Sequence, residues 1–237
     1  MRNVLVTGAT RGLGKELATR LVDDGYKVIG TGRNKTPPTD WPTNPRFVYA
    51  SLDLAEHHTF HPFILELQKA HGPLYGLVNN AAIGVVGVLA TMPETEIGTV
   101  LNTNLTGTIL LTKYAVRSML LNEEGRVLNI ASIVASNGFK GYSVYAATKA
   151  GLLGFSQSLA REIGPARITV NCISPGFMST DMTSEIDDSH LERIRKRSPL
   201  DKLATPQDVA NIASLLMSKE SDSITGENIT VDAGGSL

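Results

Sequence analysis

The sequence predicts an α/β fold: a single domain over residues 1–237, with a doubly wound sheet of seven mainly parallel strands and helices on both faces. Three observations carry that expectation. Short runs rich in Val, Ile and Leu alternate along the chain with stretches of helical periodicity. The first such run, Val4-Leu5-Val6, passes straight into a glycine-rich turn and then a helical pattern. No long linker, internal repeat or low-complexity block interrupts the alternation.

The turn is Thr7-Gly8-Ala9-Thr10-Arg11-Gly12-Leu13-Gly14, and the helix behind it repeats Leu13, Leu17, Ala18 and Leu21. Between a strand and a helix, glycines let the backbone turn tightly and approach a ligand closely. The helix start then offers unpaired N–H groups and a positive dipole end to a pyrophosphate. Gly8, Thr10, Arg11, Gly12, Leu13 and Gly14 are therefore candidate dinucleotide-binding residues of a Rossmann-type site. A kinase-type phosphate loop fits less well, because Gly14-Lys15 is followed by Glu16 where Ser or Thr is required. The second strand, 26–31, ends at Gly32-Arg33-Asn34-Lys35, without the carboxylate that would hold a ribose 2′-hydroxyl. Arg33 and Arg11 suit a 2′-phosphate instead, so the expected cofactor is NADPH/NADP ahead of NAD.

Pro37, Pro38, Pro42 and Pro45 make 36–45 a surface loop before a third strand at 46–50. Asp53, with Leu54 beside it, stands just beyond that strand in position to touch an adenine ring. Pro62 should start or kink the next helix, patterned by Phe63, Ile64 and Leu67. His57 and His61 are four apart, but no carboxylate or cysteine cluster accompanies them, so solvated imidazoles are expected and no metal. The fourth strand, 75–78, runs into Asn79-Asn80-Ala81-Ala82, where Asn80 and Ala81 join the candidate cofactor residues. A helix after Pro93 continues through Asn104 to Met119, and a fifth strand at 126–131 presents Ser132. The helix of Tyr145 ends at Gly164-Pro165, and the sixth strand runs through Cys172 and Ile173 into Pro175-Gly176. Residues 182–202 are charged and polar, a candidate substrate lid. Pro206 opens the last helix and 227–231 is the seventh strand. Open α/β sheets bind ligands outside the carboxyl ends of their strands. The glycine turn, Asp53, Asn80, Ser132 and Pro175-Gly176 all fall there.

Tyr145 and Lys149 are four apart at the start of a helix, so both side chains rise from one face. A fixed ammonium beside a phenol favours the phenolate. With a hydroxyl such as Ser132 aimed at the same point, the pair can protonate a carbonyl oxygen as hydride reaches its carbon.

The 22 basic and 23 acidic residues give a formal net charge of −1, which argues against nucleic acid or any general polyanion as partner. One cysteine, Cys172, excludes an intramolecular disulfide framework; in its apolar run an inert buried thiol is expected. The apolar run after Met1-Arg2-Asn3 stops at Thr7-Gly8, and no stretch approaches the roughly 20 residues of a membrane helix. A soluble, cytoplasmic protein with no membrane partner is the expectation.

Taken together, the glycine turn, Asn79-Asn80-Ala81-Ala82, Ser132 and Tyr145-Ala146-Ala147-Thr148-Lys149 resemble the short-chain dehydrogenase/reductase family. Residues 175–183 and the tail Ile224-Thr225-Gly226 through Val231-Asp232 are similar to its β-ketoacyl-acyl-carrier-protein reductase branch. The resemblance implies that Tyr145 is the acid for reduction, Lys149 lowers its pKa and holds the nicotinamide ribose, and Ser132 binds the substrate carbonyl. Asn104 would hold a water linking Lys149 to solvent. Pro175, Gly176, Met178 and the Thr180 hydroxyl would orient the nicotinamide. The resemblance also implies a homotetramer, or a homodimer, built on the Asn104 and Tyr145 helices, where Ala146, Ala150, Gly151 and Gly154 permit close contact or pack internally. Three departures stand out. Ala82 replaces a glycine, the proline loop replaces a helix, and Asn122-Glu123-Glu124 and Gly164-Pro165-Ala166 lack the basic residues of carrier-protein reductases. Like-charge repulsion should weaken docking of an acidic acyl carrier protein, with Arg167 compensating in part.

The expected activity is NADPH-dependent reduction of a ketone, first a β-ketoacyl thioester, then small ketones or diketones. The second reading is an NAD-dependent polyol or sugar dehydrogenase. The third is a dinucleotide sensor without turnover, which the presence of both Tyr145 and Lys149 disfavours.

Overall fold

Side chains alternate between the two faces of a strand, and that alternation divides the core into two layers. In β1 (Asn3–Val6), Val4 and Val6 pack with Leu17 and Leu21 of α1 (Gly12–Asp23) and Val209 and Leu216 of α8 (Pro206–Met217). Leu5 faces the other way, with Ile64 and Leu67 of α2 (Phe60–His71) and Leu111 and Ala115 of α4 (Thr108–Met119). All of these residues are buried, at about 1.5–3 kcal/mol for each large aliphatic side chain. The computed structural model describes residues 1–178 and 188–237, the side chains of 188–191 excepted.

β2 (Lys27–Gly32), β3 (Phe47–Ser51), β4 (Leu74–Asn79), β5 (Gly125–Ile130), β6 (Ile168–Pro175) and β7 (Asn228–Val231) complete the sheet. Its order is β3-β2-β1-β4-β5-β6-β7, and every neighbouring pair is parallel. The order reverses between β1 and β4, the place where ligands of doubly wound sheets bind.

Several elements differ from expectation. The helix after Pro93 is not continuous: α3 (Glu94–Leu101) passes into a π-helical segment, Asn102–Gly107, before α4. A side chain on Gly107 would meet the Leu54 carbonyl oxygen at 2.4 Å, so glycine allows that segment to close onto the chain just past β3. A short helix, α5 (Val134–Asn137), follows Ser132 before α6 (Ser143–Ile163). Pro62 occupies the third position of α2, where its missing N–H costs nothing. The loop at 36–45 covers the sheet with Trp41, which lies against Phe47 and Tyr49. Gly30 makes room for it, since a Cβ there would sit 2.7 Å from the Trp41 ring. The candidate lid falls partly outside the described residues; of 182–202, α7 (Asp188–Arg197) and the turn after it are described.

Candidate active site

The glycine turn is held by backbone geometry. Gly8 and Gly12 take left-handed conformations, with φ of 66° and 52°. A Cβ on Gly14 would lie 2.0 Å from the Gly8 carbonyl oxygen, so the helix start and the turn touch only because that residue has no side chain. Ala9 N–H donates to the Thr31 carbonyl (2.8 Å), pinning the turn to β2, and Thr10 fills the space a Cβ on Gly32 would need. Asn80 donates its amide to the carbonyls of Thr7 (3.0 Å) and Gly8 (3.2 Å). The Thr7 hydroxyl accepts from the backbone N–H groups of Asn80 and Ala81, each at 3.0 Å. The side chain of Asn80 therefore locks the turn, and Thr7, which the motif reading passed over, is its junction. A hydroxyl directly after a buried apolar strand was the available signal. Ala82 stays out of the left-handed region, so its methyl is accommodated without backbone strain.

No side chain caps the N-terminus of α1, and no acidic residue lies in its first turn. A Cβ on Gly12 would meet nothing. A tight glycine cradle facing an uncapped helix end fits the pyrophosphate of a dinucleotide. Arg11 and Arg33 are both exposed, one in the turn and one just past β2, while Lys15 is paired with Asp40 of the proline loop. Asp53 accepts from the Ala55 N–H (2.9 Å). The Leu54 side chain is buried in the core, so a ligand would meet only its main chain. Leu13 packs against the opposite core layer.

The catalytic candidates gather at the carboxyl end of β5. Lys149 is buried, with Nζ donating to the Ile130 carbonyl at 2.7 Å, two residues before Ser132. Its ammonium lies 5.5 Å from the centroid of the Tyr145 ring, one helical turn earlier. Ser132 Oγ accepts from Val134 N–H at 3.3 Å, and α5, which follows it, packs on α6. The Ile133 N–H donates to the Pro175 carbonyl (3.1 Å), tying the Ser132 turn to the end of β6. Gly176 is pressed against Asp232, 2.6 Å from where its Cβ would stand, and Met178 packs on the core. Thr180 lies outside the described residues. Asn104 is fully buried in the π-helical segment, which packs on α6. Its amide accepts from Ile83 N–H (2.9 Å) and donates to the Ile83 carbonyl (2.8 Å).

Burial moves both titrating groups. The Tyr145 phenol is pushed up to about 12, by desolvation first and by neighbouring Tyr142 second. Burial pulls the Lys149 ammonium down to about 8, against a small opposing influence of Cys172. The phenol therefore stands above its ordinary value rather than below it: desolvation dominates, and Nζ donates to a carbonyl.

Behind the site runs a buried polar seam that the sequence reading did not find. Asn79 donates to Thr112 Oγ1 (2.9 Å) and Asn129 Oδ1 (2.7 Å), and Asn129 donates to Ser156 Oγ (2.7 Å). Cys172 closes it, buried, with Sγ 3.0 Å from Ser156 Oγ. His57 and His61 lie elsewhere, against the rings of Phe60 and Tyr114.

A parallel sheet of this order, with a glycine cradle after β1 and a Ser, Tyr and Lys at the end of β5, defines a dinucleotide-dependent oxidoreductase. A family model described as enoyl-(acyl carrier protein) reductase matches residues 8–236. The 3-oxoacyl-[acyl-carrier-protein] reductase FabG of Vibrio cholerae is 35% identical over 232 residues, covering 97% of this chain and 95% of that protein. FabG of Escherichia coli is 36% identical over 233 residues, covering 97% and 95%. MabA of Mycobacterium tuberculosis, a reductase of the same name, is 35% identical over 233 residues, covering 98% and 92%. The solved structure of ElxO, with a tyrosine-to-phenylalanine substitution and NADPH bound, superposes with a TM-score of 0.90 at 30% identity, covering 99% of this chain and 98% of that one. The chain belongs to the short-chain dehydrogenase/reductase family.

Proposed function

We propose that this protein is an NADPH-dependent reductase of β-ketoacyl thioesters. The observation that carries the reading is the buried Lys149 ammonium, fixed to the carbonyl at the end of β5 beneath the Tyr145 ring and beside the Ser132 turn. The 3-oxoacyl reductases that match it nearly end to end support the substrate class.

When bound, NADPH supplies the hydride that reaches the carbonyl carbon. The glycine turn and the uncapped α1 terminus would hold its pyrophosphate, and Arg11 and Arg33 its 2′-phosphate. Ser132 donates a hydrogen bond to the substrate oxygen and Tyr145 gives that oxygen its proton. A phenol at about 12 keeps its proton throughout the working pH range, which suits an acid. Lys149, at about 8, is charged at neutral pH and stabilises the phenolate left behind. Asn104, its amide taken by Ile83, serves as a positioning residue that holds the 83 loop to the π-helical segment.

The carrier end of the substrate is a small thiol rather than an acidic protein. Of the basic residues near the expected docking positions, Arg167 is 3.7 Å from Glu123, Arg2 pairs with Glu124 and Arg126 with Asp222. Little positive charge is left there to attract a carrier protein. A homotetramer, or failing that a homodimer, fits the exposed Ala150 and Gly154 on α6; Gly151 instead packs internally against Leu105. No helix among the described residues is long and apolar enough to cross a membrane, and the reading places the protein in the cytoplasm.

The test is NADPH oxidation with an acetoacetyl group on carrier protein, on coenzyme A and on a short thiol. Turnover of the two small thioesters ahead of the carrier protein is expected. The family model's description favours one rival, reduction of an enoyl thioester. Faster turnover of a crotonyl than of an acetoacetyl thioester would replace our reading with that one.

A further inference from the structure

A cavity of about 190 Å³ lies beside the Ser132 turn, with apolar walls from Ile133, Phe139, Phe177, Ile194 and Leu203. Ile133 directly follows Ser132 and is tied to the end of β6 through Pro175, so cavity wall and catalytic turn are one piece of backbone. A run of rings connects the cavity to the phenol. Phe177 and Phe139 are 5.0 Å apart, Phe139 and Tyr142 5.6 Å, and Tyr142 and Tyr145 6.0 Å between centroids.

Three charged residues also line this space: Arg197, Lys202 and Asp232. The Asp232 carboxylate is used by its own turn, accepting from Gly234 N–H (2.9 Å) and Ser236 N–H (2.8 Å). Lys202 has Asp208 at 3.9 Å. Arg195, two residues before Arg197, is paired with both Glu192 and Asp201. Arg197 makes no ion pair among the described residues. Its place at the end of α7 explains an exposed cation there, by the helix dipole, but not one that also lines a largely apolar cavity next to a catalytic turn.

Resting on the reductase reading, we propose that Arg197 recognises an anionic group, carboxylate or phosphate, on the ketone substrate. The cavity is smaller than the roughly 300–1,000 Å³ that takes a drug-sized ligand. It suits a short terminal group with a charged end, not a long acyl chain. A planar guanidinium pairs with either anion through two parallel hydrogen bonds. The anion comes either from the far end of the acyl group or from the phosphate of a pantetheine arm.

Two substrate pairs separate these sources. One is the monomethyl against the dimethyl ester of 3-oxohexanedioic acid; the other is acetoacetyl-pantetheine with and without its 4′-phosphate. In one pair the anionic member should be favoured by tenfold or more in kcat/KM. Arg197→Gln should abolish that preference and Arg197→Lys should keep part of it. Lys196→Gln removes the same charge from the same helix outside the cavity and should keep all of it. Unfolding temperatures establish that the variants are folded. Reduction of neutral ketones with no anionic preference, or a preference that survives Arg197→Gln, overturns the inference and leaves the reductase reading intact. Failure to reduce any of the four ketones sinks that reading and this one with it.

Discussion

At the end of β1 the chain is held by glycine geometry; at the end of β5 it is held by buried polar side chains. The first region needs residues that are absent: no Cβ on Gly14, no acid and no cap at the start of α1. The second needs residues present in one arrangement: Lys149 on the Ile130 carbonyl, Asn104 on Ile83, and Asn79, Asn129 and Ser156 in one seam. A cofactor cradle built from backbone can be made from eight consecutive residues. A proton-transfer site in low dielectric has to be assembled from four elements, because each buried charge or amide needs its own partner.

The largest effect should come from the second region. Tyr145→Phe removes the proton donor and little packing volume, so turnover of acetoacetyl thioester should fall by about 10²–10⁴-fold. NADPH affinity and unfolding temperature should stay near those of the parent. A variant that kept a tenth of the parent kcat would show that the phenol is not the acid.

The first region should break differently. Gly14→Ala places a methyl where the Gly8 carbonyl oxygen already sits, and backbone cannot swing aside as a side chain can. NADPH binding should weaken by more than tenfold, with a stability loss of about 1–3 kcal/mol. Both are measurable by titration and by chemical denaturation. Gly12→Ala, strained only by its φ of 52° with open space around it, should cost less.

The same contrast explains what was legible beforehand. The strand–helix alternation, the glycine turn and the Tyr145–Lys149 spacing are local patterns, and the structure shows a parallel sheet, the turn straight after β1 and the pair in the first two turns of α6. The π-helical segment was not legible, because its cause is distant. Asn104 must meet Ile83, and Gly107 must admit the Leu54 carbonyl. Helical periodicity alone reads 94–119 as one rod. The shift of the phenol to about 12 was hidden for a related reason. Four-residue spacing says that Lys149 and Tyr145 share a face, but not that Nζ is spent on Ile130 or that desolvation sets the phenol. Asn80, read as a cofactor residue, also holds the loop that would hold the cofactor, which only the fold reveals.

A charge deletion at the cradle sharpens the comparison further. Arg33 is exposed, so its removal should leave the fold alone and act on cofactor choice. Arg33→Ala should lower the ratio of kcat/KM for NADPH over NADH by about tenfold, the worth of a charge-assisted hydrogen bond to a phosphate. Arg11→Ala should act in the same direction. Equal efficiencies with both dinucleotides in the parent would show that neither guanidinium reads the 2′-phosphate.

The mildest test needs no mutation, because Lys149 titrates within reach. With its pKa pulled from the ordinary 10.5 to about 8, the ammonium is lost as pH rises through that value. Roughly nine-tenths of it is charged at pH 7 and about a quarter at pH 8.5, so reduction should slow about fourfold between them. The contribution of the same group to stability runs the other way. Between about pH 8 and 10.5 the unfolded chain binds this proton and the folded chain does not, so that contribution rises with pH. A loss of activity caused by general alkaline unfolding would carry stability down with it. A loss caused by Lys149 leaves the protein at least as stable while it stops working. Lys149→Met should flatten both limbs, and a rate that stays level to pH 9 in the parent would remove the ammonium from the mechanism.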